Sequence, residues 1–153
     1  MVRPKSAKLP TPVRTWVRPQ KVYMKIEVSN GEILDKMTIL QIKKEKIGDT
    51  DKLNNIQKEI EELSPFYERF IKDETISSLY NDLYQVNLKL WLIEDNIREL
   101  EYNLDFGDDF IKLARLVYKT NDERAKIKKQ INIISNSDLV EEKSYKNYVR
   151  DEN

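Results

Sequence analysis

Residues 75–104 read TISSLYNDLYQVNLKLWLIEDNIRELEYNL. Within them Ile76, Leu79, Leu83, Val86, Leu90, Ile93, Ile97, Leu100 and Leu104 recur at alternating intervals of three and four. That rhythm is a heptad seam held over about four heptads, with no Gly or Pro to interrupt it. A helix of this length spans roughly 45 Å, more than a small compact domain requires. It forms the spine of a bundle or a coiled coil.

Downstream, Asp105-Phe106-Gly107-Asp108 breaks the pattern, and a further helix runs from Asp109 to about Ile134. Its seam is Phe110, Leu113, Val117, Thr120, Arg124, Ile127, Ile131 and Ile134. So short a break makes the two helices antiparallel neighbours. Ser135-Asn136-Ser137 ends this helix, and Asp138 with Glu141 caps a last short segment, LVEEKSYKNYV. Upstream, Ser29 followed three residues later by Glu32 is a capping box. The helix it opens reaches about Ile47. Its apolar residues Ile33, Leu34, Met37, Ile39, Leu40, Ile42 and Ile47 cover more than one face, which predicts a central position. Gly48 ends it as a C′ glycine, and Thr50 or Asp51 caps a helix with Leu53, Ile56, Ile60, Leu63, Tyr67 and Phe70 inward. Ser64-Pro65 within it reads as a kink or restart.

Residues 1–23 differ from all of this. They hold Pro4, Pro10, Pro12 and Pro19, four of the five prolines, which rules out a helix there. They also carry six basic residues and no acid, so with a net charge of zero the other 130 residues carry −6. We expect an arm without fixed structure, or an extension upstream of a start at Met24. Alternation at Val13–Val17 and at Val22–Val28 predicts two strands, able to pair as a hairpin through Pro19-Gln20. The expected fold is thus all-α: an antiparallel four-helix bundle with one long central helix, about 75–104, and a short N-terminal strand or arm. A single domain covers 24–148, and 149–153 is a frayed tail.

Composition removes several chemistries. The chain has no Cys and no His. Disulfides, ordinary zinc sites, thiol nucleophiles and serine–histidine relays are excluded. The three glycines punctuate helices and form no phosphate-cradling loop, so no nucleotide fingerprint and no cofactor are expected. Carboxylate pairs such as Glu94/Asp95 and Asp108/Asp109 lack the His partners of a di-iron bundle, so no metal is expected either. No apolar run is long enough to span a membrane and the N-terminus lacks a secretion-signal core, so the expected address is cytoplasmic.

Polar residues gather at one level. A second stripe on the long helix runs Tyr80, Tyr84, Asn87, Trp91, Glu94, Arg98 and Glu101. The seam of the next helix turns polar at Thr120 and Arg124. Folding the hairpin about Phe106-Gly107 brings Glu94, Asp95, Arg98, Glu101, Arg115, Tyr118, Asn121 and Asp122 toward one another, with Asp35 and Lys36 added from the first helix. Such a cluster is either a salt-bridge network on a solvated face or a semi-buried anion site. In the second case Arg98, Arg115 and Arg124 hold a carboxylate or phosphate, and Glu94 or Tyr118 carries the proton. The candidate ligand set is Asp35, Lys36, Glu94, Arg98, Arg115, Tyr118, Asn121, Asp122 and Arg124. Tyr80, Tyr84 and Trp91, read as an exposed aromatic stripe, predict the interface of a homodimer.

Four stretches, SNGEILDKMTILQIKKEKI (29–47), LWLIEDNIRELE (90–101), DFIKLARLVYKTNDERAKIKKQIN (109–132) and EEKSY (141–145), together resemble a small bacterial and phage family of unknown function. The resemblance covers about Met24 to Tyr148. It implies no catalytic role, a lean toward sugar-nucleotide or glycan chemistry, and a pattern that contains Gly31, Glu32, Asp35, Lys36, Trp91, Glu94, Asp95, Arg98, Arg115, Tyr118, Asn121, Asp122, Arg124 and Glu141. Three functional expectations follow, in this order: an interaction or assembly module; a binding protein or enzyme for an anionic small molecule; and nucleic-acid binding through the basic arm, which the acidic body opposes.

Overall fold

The computed structural model describes residues 25–146. Among them are four helices and no strand: α1 (Asn30–Lys46), α2 (Thr50–Phe70), α3 (Glu74–Tyr102) and α4 (Asp108–Ile134). The basic arm, the strand expected at Val13–Val17 and the tail from residue 149 lie outside the described residues. Residues 25–28, the described part of the second expected strand, are irregular. The alternating residues Ile26 and Val28 are exposed, because no face among the described residues covers them. No helix among the described residues is long and apolar enough to cross a membrane.

α1 is the hub. It packs against α2, α3 and α4, while α3 lies along α4. The two-sided apolar pattern of α1 explains why: Leu34, Met37, Leu40 and Ile42 are all buried. The main core joins Leu34 and Met37 to Ile76, Tyr80 and Leu83 of α3 and Ile131 of α4. Ile60, Leu63, Tyr67 and Phe70 of α2 close over it. Each such fully buried aliphatic side chain stabilises the fold by about 1.5–3 kcal/mol relative to exposure.

The seam of α3 is buried at Ile76, Leu83, Leu90 and Ile93, as the heptad rhythm predicts. It does not reach Leu104. α3 ends at Asn103, and Leu104 adopts φ 55° with its side chain in solvent. The bonds Asp105 N–H to Leu100 C=O (3.0 Å) and Leu104 N–H to Glu101 C=O (3.1 Å) form a Schellman motif with Leu in the left-handed position. α4 ends the same way, with Asn136 at φ 50°. There Ser137 N–H bonds Asn132 C=O (2.8 Å) and Asn136 N–H bonds Ile133 C=O (3.2 Å).

Further expectations are corrected. α2 continues through Pro65 without a restart; the Ser64 hydroxyl donates to the Ile60 carbonyl at 2.7 Å within it. Gly48 is not a left-handed cap, since no glycine has positive φ and Ile47 leaves α1 in extended conformation. The N-cap of α2 is Asp49, not Thr50 or Asp51. Residues 139–146 do not form a helix, and the rest of the expected last segment lies outside the described residues. Their carboxylates reach across to lysines of α4: Glu141 to Lys128 (3.1 Å) and Glu142 to Lys129 (2.9 Å). These cross-element ion pairs hold residues 139–146 as an irregular strap.

Candidate functional site

The site grows from the junction of α1 with α4. Ser29 caps α1, its hydroxyl accepting from Glu32 N–H at 3.2 Å. The next free N–H groups of the helix end are taken by α4 and the turn beyond it. Asn132 Oδ1 accepts from Gly31 N–H (2.6 Å), and Ser137 Oγ accepts from Asn30 N–H (3.1 Å). The approach is so close that a Cβ on Gly31 would stand 2.6 Å from the Lys128 carbonyl oxygen. Only glycine fits there.

One turn further, Asp35 is 1% exposed. An isolated buried carboxylate is costly, and this one is fully partnered. Arg124 Nε donates to Oδ1 at 2.8 Å and Arg124 Nη2 donates to Oδ2. Asn87 Nδ2 donates to Oδ1 at 2.8 Å and also to Thr38 Oγ1 at 2.7 Å. Lys128 stands 4.0 Å away, buried, and pairs with Glu32 and Glu141. Hydrogen bonding to Asp35 outweighs burial and holds the Arg124 guanidinium above its ordinary range. Burial alone would lower the Lys128 ammonium, but Glu32, Asp35 and Glu141 together raise it. Lys128 in turn lowers the Glu141 carboxyl.

Above this network α1, α3 and α4 leave an open cleft of about 540 Å³. Ile39, Ile42 and Leu90 give it apolar surface, and Trp91 adds an indole. Glu94, Asp95 and Arg98 of α3 line it with Asn121 and Arg124 of α4. Arg98 donates from Nη1 to the Glu94 carboxylate (2.7 Å) and carbonyl (2.8 Å). Arg124 Nη1 keeps only a 3.5 Å contact with Asn121 Oδ1.

The structure therefore brings Asp35, Asn121 and Arg124 together and sets Glu94 and Arg98 on the same cleft. It does not gather three arginines. Arg115 is exposed and lines no part of the cleft. Lys36 faces α2 and pairs with Glu59 at 2.7 Å. Tyr118 and Asp122 border a neighbouring groove on the strap side of α4. The exposed aromatic stripe loses a member as well. Tyr80 is 4% exposed, its ring 5.0 Å from that of Tyr67, and burial pushes its phenol well above the ordinary value. Tyr84 donates to Glu45 at 2.8 Å, and only Trp91 of the three lines the cleft.

Sequence reasoning missed Lys128, Asn132 and Thr38. The signal for two of them was present: Asn121, Arg124, Lys128 and Asn132 form one polar line, meeting the α4 seam at Arg124, at intervals of three and four. Thr38 carried no such signal.

A helical domain with a buried ion-pair network under an open polar cleft is the class of protein these features define. More particularly, the chain belongs to a family of unknown function, DUF6165, whose model matches residues 24–152. No curated protein and no solved structure matches the chain.

Proposed function

We propose that this protein binds a small polar molecule in the cleft between α1, α3 and α4. The observation that carries the reading is the Asp35–Arg124 pair at the edge of an open cleft. Asp35 takes two N–H groups of the guanidinium and so fixes its plane, leaving Nη1 with one long contact. A donor held still before the ligand arrives loses little freedom on binding. The volume is in the range of small-molecule sites, and apolar surface with a few placed polar groups is their usual lining. The bundle reading, with helices antiparallel, is supported for α1 and α4 by two pairs in reversed order, Glu32 with Lys128 and Asp35 with Arg124. A bacterial or phage origin and a cytoplasmic address belong to the same reading.

A thermal-shift panel of small molecules differing in charge (glucose, glucose 1-phosphate, citrate, adenosine and AMP) tests it. A ligand of the folded state raises the midpoint by mass action. A saturable shift that disappears in Trp91→Ala and in Arg98→Ala is the expected result. No shift with any member overturns the reading.

A second reading, assembly of copies into a homodimer, is favoured by one observation. Beyond α1 the tip of the α3–α4 hairpin exposes Tyr102, Leu104, Phe106 and Ile111. Exposed apolar clusters of this kind mark contact surfaces. Light scattering at micromolar concentration should give twice the chain mass, falling to one chain mass in Tyr102→Lys with Phe106→Lys. A monomer in the parent chain removes this reading.

A further inference from the structure

We propose that the ligand is a planar ring joined through a short polar spacer to a phosphate group. The ring occupies the cleft beside Trp91, and the phosphate reaches over α4 to Lys143 and Lys146. The proposal rests on the cleft being the binding site.

The distribution of charge carries it. In the cleft every arginine is already matched, Arg98 by Glu94 and Arg124 by Asp35. Asp95 adds a carboxylate with no ion-pair partner among the described residues. The cleft thus offers hydrogen bonds and an indole face but no uncompensated cation. It suits an uncharged ring, for which a tryptophan face is a stacking surface. On the other side of Asn121 lies a groove of about 540 Å³ between α4 and the strap. Its charged lining is Asp122, Lys143 and Lys146, so cations prevail. Lys146 makes no ion pair among the described residues, and the nearest acid to Lys143 is Glu141 at 4.0 Å. Two weakly engaged lysines against one aspartate match a dianion, a phosphate monoester, better than a single carboxylate. Asn121 lines both cavities, so they meet at one side chain. A neutral ring on one side and a dianion on the other, linked over Asn121, would use both at once.

Calorimetric titration of the full chain with AMP and with adenosine tests this. AMP is expected to bind at least tenfold more tightly than adenosine. The double variant Lys143→Ala/Lys146→Ala should bring AMP down to the affinity of adenosine and leave adenosine unchanged. Trp91→Ala should weaken both, and the melting curve of each variant checks that it is folded. Equal binding of AMP and adenosine by the parent chain, or an AMP advantage that survives in the double variant, overturns the proposal. In either case adenosine binding lost in Trp91→Ala leaves the cleft reading intact. Failure of both probes to bind overturns the proposal too, and the thermal-shift panel then decides the cleft reading independently.

Discussion

The two halves of α4 meet the rest of the molecule in opposite ways. From Thr120 to Asn132 the helix is flanked by α1 as well as α3, and three of its polar side chains bond across to α1: Arg124 to Asp35, Lys128 to Glu32, Asn132 to Gly31. From Asp108 to Leu116 no hydrogen bond or ion pair joins it to α1 or α2 among the described residues. There Phe110 and Leu113 are only half-buried, and Lys112 pairs within its own helix with Asp109 at 2.9 Å. The same seam rhythm runs through both halves. Periodicity therefore sets which face turns inward, while the number of neighbours sets how much that face is worth.

The sharpest break of this contrast is Asp35→Ala. It strands the Arg124 guanidinium, whose acidic partner is Asp35, while Lys128 keeps Glu32 and Glu141; loss of one partner from a buried pair costs about 3–5 kcal/mol. Since 27% of the Arg124 side chain reaches solvent, the lower end is expected. Arg98→Ala, which removes an exposed pair within α3, should stay within about 0.5 kcal/mol. Urea unfolding of the two variants measures the difference directly, and equal losses would refute the contrast.

Glycine substitution gives the next largest effect. Gly31→Ala forces a Cβ against the Lys128 carbonyl and Asn132 Oδ1 and should cost about 1–3 kcal/mol. Gly48→Ala meets nothing within 4 Å and lacks positive φ, so it should gain about 0.4–1 kcal/mol through the unfolded chain. Opposite shifts of the melting temperature are the expected result. At the hairpin tip, Leu104→Gly removes a side chain from the left-handed region where it is already solvent-exposed, and should gain up to about 1 kcal/mol.

The smallest effect is a dependence on pH. Lys128 holds the Glu141 carboxyl below its ordinary value of 4.5. A carboxyl lowered in the folded state binds fewer protons there than in the unfolded chain. Its contribution is therefore present above pH 4.5 and is lost as pH falls through the lowered value. Acid titration of the melting temperature should show this loss in the parent chain and a shallower slope in Glu141→Gln. Identical slopes would mean that the strap is held by other contacts.

Much of the fold could be read from residue spacing, because helix faces are a one-dimensional property. The α3 seam, the Ser29 cap and the central place of α1 all follow from local intervals. What could not be read is what depends on a third neighbour. Tyr80 sits one position off the α3 seam and reads as exposed, yet α2 brings Tyr67 onto it. Glu141 reads as a capping residue for its own segment, yet Lys128 draws it to another element. The site was legible to the extent that its partners lie on single helix faces: spacing points to Asp35, Asn121 and Arg124, whereas Arg115, which spacing groups with them, is exposed and lines no part of the cleft. Glu32 shows the same limit. Its backbone N–H makes the predicted cap bond, and its carboxylate goes to Lys128.

The docking of Gly31 on Asn132 also has a consequence for how the chain acquires its structure. The two residues are 101 positions apart. Of the four helices α1 is made first, yet Gly31 N–H lacks its acceptor and Asp35 lacks its guanidinium until the second half of α4 exists. Closing so long a loop is slow, and contacts of high sequence separation govern folding rate more than stability. During synthesis, α1 would wait as an incomplete hub while the α3–α4 hairpin, whose contacts are local, forms beside it. Slippage of α4 by one turn along α1 would take Asn132 Oδ1 away from Gly31 N–H and deny Asp35 its guanidinium, so this long-range contact also checks the alignment of the two helices.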